Sequence, residues 1–150
     1  MIIRHAIAQD AEAIANLSLQ LGYPTTANAI RQCLEQMQPF AYSAVLVAAA
    51  EAGVIGWIHV YVCQLLQTEL QAEIGGLVVD ENYRDSGVGR QLLQQAEHWA
   101  NQHGCHSVYV RSNIVRQQAH IFYKKMGYSY VKTSLAFRKD LVGESLYSSQ

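Results

Sequence analysis

The sequence predicts an α/β domain with a mixed sheet, on three observations. Short β-branched runs alternate with stretches whose apolar residues recur at helical spacing, in the order β-α-α-β-β-β-α-β-α-β. Half of the 150 residues are hydrophobic and only 15% are charged, a balance suited to a packed core. The third is the stretch from Glu73 to Leu93, in which an apolar strand runs through a polar turn into a helix opened by glycines. Residues 1–150 read as one domain, long enough to bury about 70% of the surface of the unfolded chain. The tail from about Gly143, rich in serine, is expected to fray.

Taken in order, Ile2 to Ile7 form a short strand. Asp10 occupies an N-cap position, and Ile14, Leu17, Ser18 and Leu21 share one helical face until Gly22 and Pro24 stop the helix. A second helix is capped by Thr25 or Thr26, carries Ile30, Cys33, Leu34 and Met37 on one stripe, and ends at Pro39. Ala44 to Glu51 and Val54 to Cys63 make an antiparallel hairpin around a tight turn containing Gly53. A strand from about Leu70 to Val79 leads into the central turn. The helix beyond it places Val88, Leu92, Leu93, Ala96, Trp99 and Ala100 on one face and closes at Gly104. Ser107 to Ser112 is another strand. Arg116 to Met126 is a helix with Ala119, Phe122, Tyr123 and Met126 on one face, stopped by Gly127; Tyr128 to Arg138 alternates as one or two further strands.

Composition narrows the function. A net charge of -1 supplies no global basic field for nucleic acid or an anionic membrane. Three cysteines, Cys33, Cys63 and Cys105, without a C-x-x-C pair suggest neither a disulfide framework nor a zinc site. His98 and His103 lie five apart, off a shared helical face, so no metal is expected. The start has no signal-peptide apolar core and no apolar run approaches membrane length, so a soluble cytoplasmic protein is expected.

The chemistry is concentrated in the central stretch. Gly87 and Gly89 remove side chains where a helix exposes its unpaired N–H groups, an arrangement that can cradle a phosphate. The turn lacks the Lys-Ser or Lys-Thr of a P-loop, and the third glycine of a dinucleotide fingerprint is missing. What remains is R-x-x-G-x-G, as Arg84-Asp-Ser-Gly87-Val-Gly89, behind Leu77-Val-Val-Asp-Glu-Asn-Tyr. An ordinary tight strand-to-helix turn is the plainer reading of the same glycines. Together with the Leu92-Leu93 helix and Ala119-His-Ile-Phe-Tyr123-Lys-Lys-Met-Gly127-Tyr128, these residues resemble the GCN5-related N-acetyltransferase (GNAT) superfamily over nearly the whole chain.

The resemblance implies a single-domain, largely antiparallel sheet flanked by helices, with the fourth and fifth strands splayed to admit a cofactor. It implies acetyl-CoA as cosubstrate, its pyrophosphate held by the amides of Asp85, Ser86, Gly87, Val88, Gly89 and Arg90, with Arg84 shaping the turn. Its pantetheine arm would lie along Leu77, Val78 and Val79 like a false strand, near Asn113, which is also a good turn residue on its own account. The Val79 N–H would face the thioester carbonyl and suit the oxyanion formed when an amine attacks. Tyr123 would protonate the leaving thiolate, or else simply pack as a half-buried aromatic.

Glu73 would be the general base. An alkylamine of pKa about 10.4 needs about 4–5 kcal/mol to expose its lone pair at pH 7. Glu73 and Val79 fall on the same side of an ideal strand, unless a bulge at Gly75-Gly76 intervenes. An exposed glutamate paired with Lys or Arg is the other reading of Glu73, and Glu69 is a weaker candidate base. His120, beside Tyr123, is either its tuning partner or a solvated helix residue. The function implied is acetyl transfer from acetyl-CoA to a primary amine, small-molecule or protein, with Tyr23 in the Leu21–Pro24 corner lining the acceptor site. The alternative is a catalytically idle acyl-CoA-binding sensor or subunit. A homodimer is compatible with either.

Overall fold

The computed structural model describes residues 1–37 and 42–143. The expected helix stop at Pro39 and nearly all of the serine-rich tail lie outside the described residues. The described residues divide into two compact units, one up to residue 110 and one from residue 111 onward.

In the first unit the order is β1 (Ile2–His5), α1 (Ala11–Leu21), α2 (Ala27–Met37), β2 (Ser43–Ala50), β3 (Gly53–Cys63), β4 (Gln71–Val79), α3 (Val88–Gln102) and β5 (Ser107–Val110), with short 3-10 turns at Ala8–Asp10 and Glu81–Tyr83. The sheet order is β1-β2-β3-β4-β5. Every neighbouring pair is antiparallel except β4 and β5, which are parallel.

Helix α3 forms where the 3.6-residue period places it: Val88, Leu92, Leu93, Ala96, Trp99 and Ala100 are all buried. Each fully buried leucine contributes about 1.5–3 kcal/mol of transfer free energy. A Cβ on Gly56 of β3 would lie 3.1 Å from Leu92 Cδ1 and 3.4 Å from Val88 Cγ1, so α3 covers the face of β3 that carries Gly56, Ile58 and Val60. Leu46, Val47 and Ala48 are consecutive in β2 and all buried, so the sheet is covered on both faces. Helix α1 packs on β3 and β4 and against α2. With α3 on one face, α1 takes the other, and α2 packs against α1.

Helix ends follow local chemistry. Gly22 closes α1 at φ 91°, donating to Leu19 and Ser18 carbonyls. Thr26 settles the choice of cap for α2, because its Oγ1 accepts from the Ala29 amide at 3.1 Å. Asp10 departs from expectation. Its carboxylate does not cap α1 but turns back to accept from the Ile7 amide at 2.8 Å and from both Arg4 guanidinium nitrogens at 2.7 and 3.0 Å. The bidentate cation outcompetes the neutral amides of the first turn.

The Arg4 hydrogen bond holds the Asp10 carboxyl below the usual range, against the opposing effect of burial and with help from Ile7. A depressed folded pKa means a contribution complete above about pH 4, where the unfolded carboxyl ionises, and lost as pH falls through the lower folded value. Arg4→Ala is expected to cost about 1–3 kcal/mol at pH 7 by leaving a buried carboxylate short of donors. Urea titrations at pH 7 and pH 3 should show the difference from wild type shrinking in acid.

The second unit holds α4 (Gln117–Lys125), closed at Gly127 with φ 93°. The alternation from Tyr128 to Arg138 does not become a strand: residues 128–141 have no assigned strand, and Leu135 and Phe137 are 81% and 89% exposed. A strand requires a ladder for its N–H and C=O groups, and alternation alone supplies none. Among the described residues no helix is long and apolar enough to cross a membrane.

Candidate active site

Strand β4 is bulged in its middle. The register with β3 runs Val60 to Ile74 and then His59 to Gly76, so Gly75 is an extra residue. Both glycines are required by close approach. A Cβ on Gly75 would meet His59 Nδ1 at 2.7 Å, and one on Gly76 would meet the Trp57 ring at 2.7 Å.

The bulge changes which residues share a face. Glu73 lies opposite Tyr61, whereas Val79 lies opposite Gly56 on the α3 side. The two are therefore on opposite faces, which corrects the expectation from an ideal strand: one inserted residue inverts a period of two. Glu73 is 7% exposed and accepts a 2.5 Å hydrogen bond from the Tyr61 hydroxyl, so it is a buried glutamate and not an exposed one. Glu69 is exposed and sits 3.4 Å from His106 Nδ1.

The Val79 backbone faces an open edge. The Asp80 amide donates to Ile55 of β3, so by alternation the N–H and C=O of Val79, and those of Leu77, point away from β3. Arg84 Nε donates to the Val79 carbonyl at 3.2 Å, tying the turn to the strand end. Strand β5 pairs with β4 only from Gln71 to Ile74. Among the described residues of the first unit, no strand pairs with Gly75–Val79 on that edge. An extended arm bearing amides could line up with Leu77 and Val79 there. Val78 differs, because its backbone groups turn toward β3 and its side chain is 4% exposed.

Beyond the strand, Asp85 adopts φ 63°, unusual for a residue with a side chain, and Gly87 follows at φ 87° as the N-cap of α3. The first intrahelical bond runs from the Gln91 amide to Gly87, which leaves the amides of Val88, Gly89 and Arg90 without a helical acceptor. A Cβ at Gly87 would meet nothing within 4 Å. The open space, the orphan amides and the positive end of a 15-residue helix together fit a phosphate.

The second unit carries the remaining candidates. Tyr123 on α4 packs edge-on against Phe122 and Tyr128, with centroids 5.2 and 5.8 Å away. Burial pushes its phenol above the ordinary value, partly offset by Arg116, so it keeps its proton at neutral pH. Asn113 serves as a turn residue, its Oδ1 accepting from the Val115 amide at 3.1 Å. His120 Nε2 lies 2.9 Å from the Asn113 carbonyl oxygen. In the first unit, His103 stacks on Trp99 at the end of α3, with Nδ1 2.8 Å from the Trp99 carbonyl oxygen.

A model of the acetyltransferase (GNAT) family matches residues 10–128. The chain belongs to this family. It is an acyltransferase that takes an acetyl group from acetyl-CoA, its cosubstrate, and passes it to an amine. The aminoglycoside N(6')-acetyltransferase type 1 of Stenotrophomonas maltophilia is 25% identical over 143 residues, covering 93% of each chain. Among solved structures, AAC(6')-Iy in complex with the bisubstrate analogue CoA-S-monomethyl-acetylneamine superposes with a TM-score of 0.82 at 18% identity, over 93% of this chain and 98% of that one. The aminoglycoside 6'-N-acetyltransferase AAC(6')-IG of Acinetobacter haemolyticus gives 0.77 at 21%, over 94% and 99%. At those identities the superpositions show the fold.

Sequence reasoning missed the row Trp57, His59 and Tyr61 on β3. Its signal was present as aromatic and polar residues at i, i+2 and i+4, alternating with the apolar Ile58 and Val60.

Proposed function

We propose that the chain acetylates a primary amine of a small molecule of the aminoglycoside kind, with Glu73 as base and Tyr123 as acid. The observation that carries the reading is the pairing of a buried carboxylate with an adjacent open strand edge on β4. Acetyl-CoA supplies the acyl group when bound. In this reading the amides of residues 85 to 90 hold its pyrophosphate and Arg84 steadies the turn. Leu77 and Val79 present N–H and C=O groups to the pantetheine arm, and the Val79 N–H stabilises negative charge on the thioester oxygen. Glu73 takes the proton from the incoming ammonium, and Tyr123 gives its proton to the departing sulfur.

Because the bulge sets Glu73 on the face opposite α3, the acceptor approaches from that side. In this reading Tyr23, 47% exposed in the corner between α1 and α2, lines its path. The match at residues 10–128 runs across both compact units, which supports reading them as one catalytic domain. The acceptor class rests on the Stenotrophomonas maltophilia relative, whose similarity extends over 93% of the chain.

The test is product analysis. The protein is incubated with acetyl-CoA and, separately, aminoglycosides, simple alkylamines, amino-sugar phosphates and lysine-bearing peptides, and the acetylated product is identified by mass spectrometry. Acetylation of an aminoglycoside amine in preference to the others is the expected result. Preferential acetylation of a peptide overturns the acceptor class. Acetyl-CoA binding without acetylation of any acceptor favours a sensor.

A further inference from the structure

Three aromatic side chains of β3 stand along the bulged segment of β4. The rings of Trp57 and His59 occupy the space that side chains at Gly76 and Gly75 would need, with approaches of 2.7 Å in each case. Next in the row, Tyr61 lies directly opposite Glu73, and its ring centroid is 5.5 Å from that of His59. Its hydroxyl donates to Glu73 Oε2. Burial depresses the His59 pKa, so at neutral pH the imidazole beside this pair is uncharged and does not compete with the phenol as a cation.

A carboxylate on a strand has free χ torsions, and a base delivers its rate advantage only when held within hydrogen-bond reach of the proton it takes. Burial restricts the Glu73 side chain. The hydrogen bond from Tyr61 directs it, and the bulge sets where along the strand the carboxylate stands relative to the Val79 amide.

We propose that Tyr61 is a positioning residue of the reaction: its hydroxyl fixes the Glu73 carboxylate in the orientation that receives the acceptor's proton. The proposal rests on the reading of Glu73 as base. During the step the ammonium proton passes to a Glu73 oxygen, while Tyr61 keeps its own proton and remains a donor. Tyr61 therefore acts through Glu73 and contributes to kcat rather than to acetyl-CoA binding.

The experiment is a double-mutant cycle with Tyr61→Phe, Glu73→Gln and the double variant, each measured for kcat, acceptor KM, acetyl-CoA affinity and thermal midpoint. Rates are normalised to the folded fraction by titration with CoA. Tyr61→Phe is expected to lower kcat about tenfold to a hundredfold, with acceptor KM and acetyl-CoA affinity within about threefold of wild type. In the Glu73→Gln background the same substitution is expected to have no further effect on kcat, because there is no base left to orient. A merely structural tyrosine would lower the thermal midpoint and multiply the two losses, which overturns the proposal. A slow Glu73→Gln beside an unimpaired Tyr61→Phe overturns the proposal and spares the base. A fully active Glu73→Gln overturns both.

Discussion

Glu73→Gln is expected to lower kcat by about two to four orders of magnitude, the range a positioned general base supplies, and to leave acetyl-CoA affinity close to wild type. Glutamine preserves volume and can still accept from the Tyr61 hydroxyl, so the fold of β4 survives while the proton acceptor is gone. The defect should depend on pH in a direction fixed by the acceptor. An alkylamine of pKa about 10.4 is nearly all ammonium at pH 7, so without a base the reaction waits on the small neutral fraction, which grows tenfold per pH unit. The gap between variant and wild type should therefore narrow as pH rises from 7 to 10. Steady-state rates at saturating acetyl-CoA across that range check it. A constant ratio would mean that Glu73 supports structure and not proton transfer.

Tyr123→Phe is expected to lower kcat about a hundredfold at pH 7, again with little change in acetyl-CoA affinity. The phenol is held protonated by burial, the state a donor to a leaving thiolate requires. Phenylalanine keeps the edge-on packing with Phe122 and Tyr128, so the thermal midpoint should move little. The leaving-group role can be checked with acyl donors of different thiol pKa. A donor whose thiolate leaves more readily should suffer less from the loss of Tyr123. Equal loss with every donor would place Tyr123 outside the proton path.

The parts of this fold that could be read from the sequence are those fixed by local periodicity and local backbone chemistry. The stripe Val88, Leu92, Leu93, Ala96, Trp99 and Ala100 was visible because a helix repeats every 3.6 residues, and all six are buried. Gly22, Gly87 and Gly127 marked helix boundaries because each adopts a positive φ that side chains resist. The hairpin of β2 and β3 and the turn at Arg84–Gly89 were legible for the same reason.

What escaped depends on contacts across the chain. Gly75-Gly76 signalled a bulge, but not which face Glu73 would take after one extra residue, nor that the glycines make room for the rings of Trp57 and His59. Tyr61 is twelve residues from Glu73 and meets it only through the β3–β4 register. Asp10 had the sequence position of a cap, yet Arg4, brought alongside by β1, drew its carboxylate away. Tyr128 to Arg138 carried the alternation of a strand without the ladder that makes one.

The most direct measurement is thiol release from acetyl-CoA by the full chain, with and without an aminoglycoside, alongside calorimetric titration of acetyl-CoA alone. Binding of acetyl-CoA, together with thiol release that depends on the amine and falls about a hundredfold or more in Glu73→Gln, is the predicted result. Absence of acetyl-CoA binding, or binding with thiol release indifferent to every amine and to Glu73, would contradict the account.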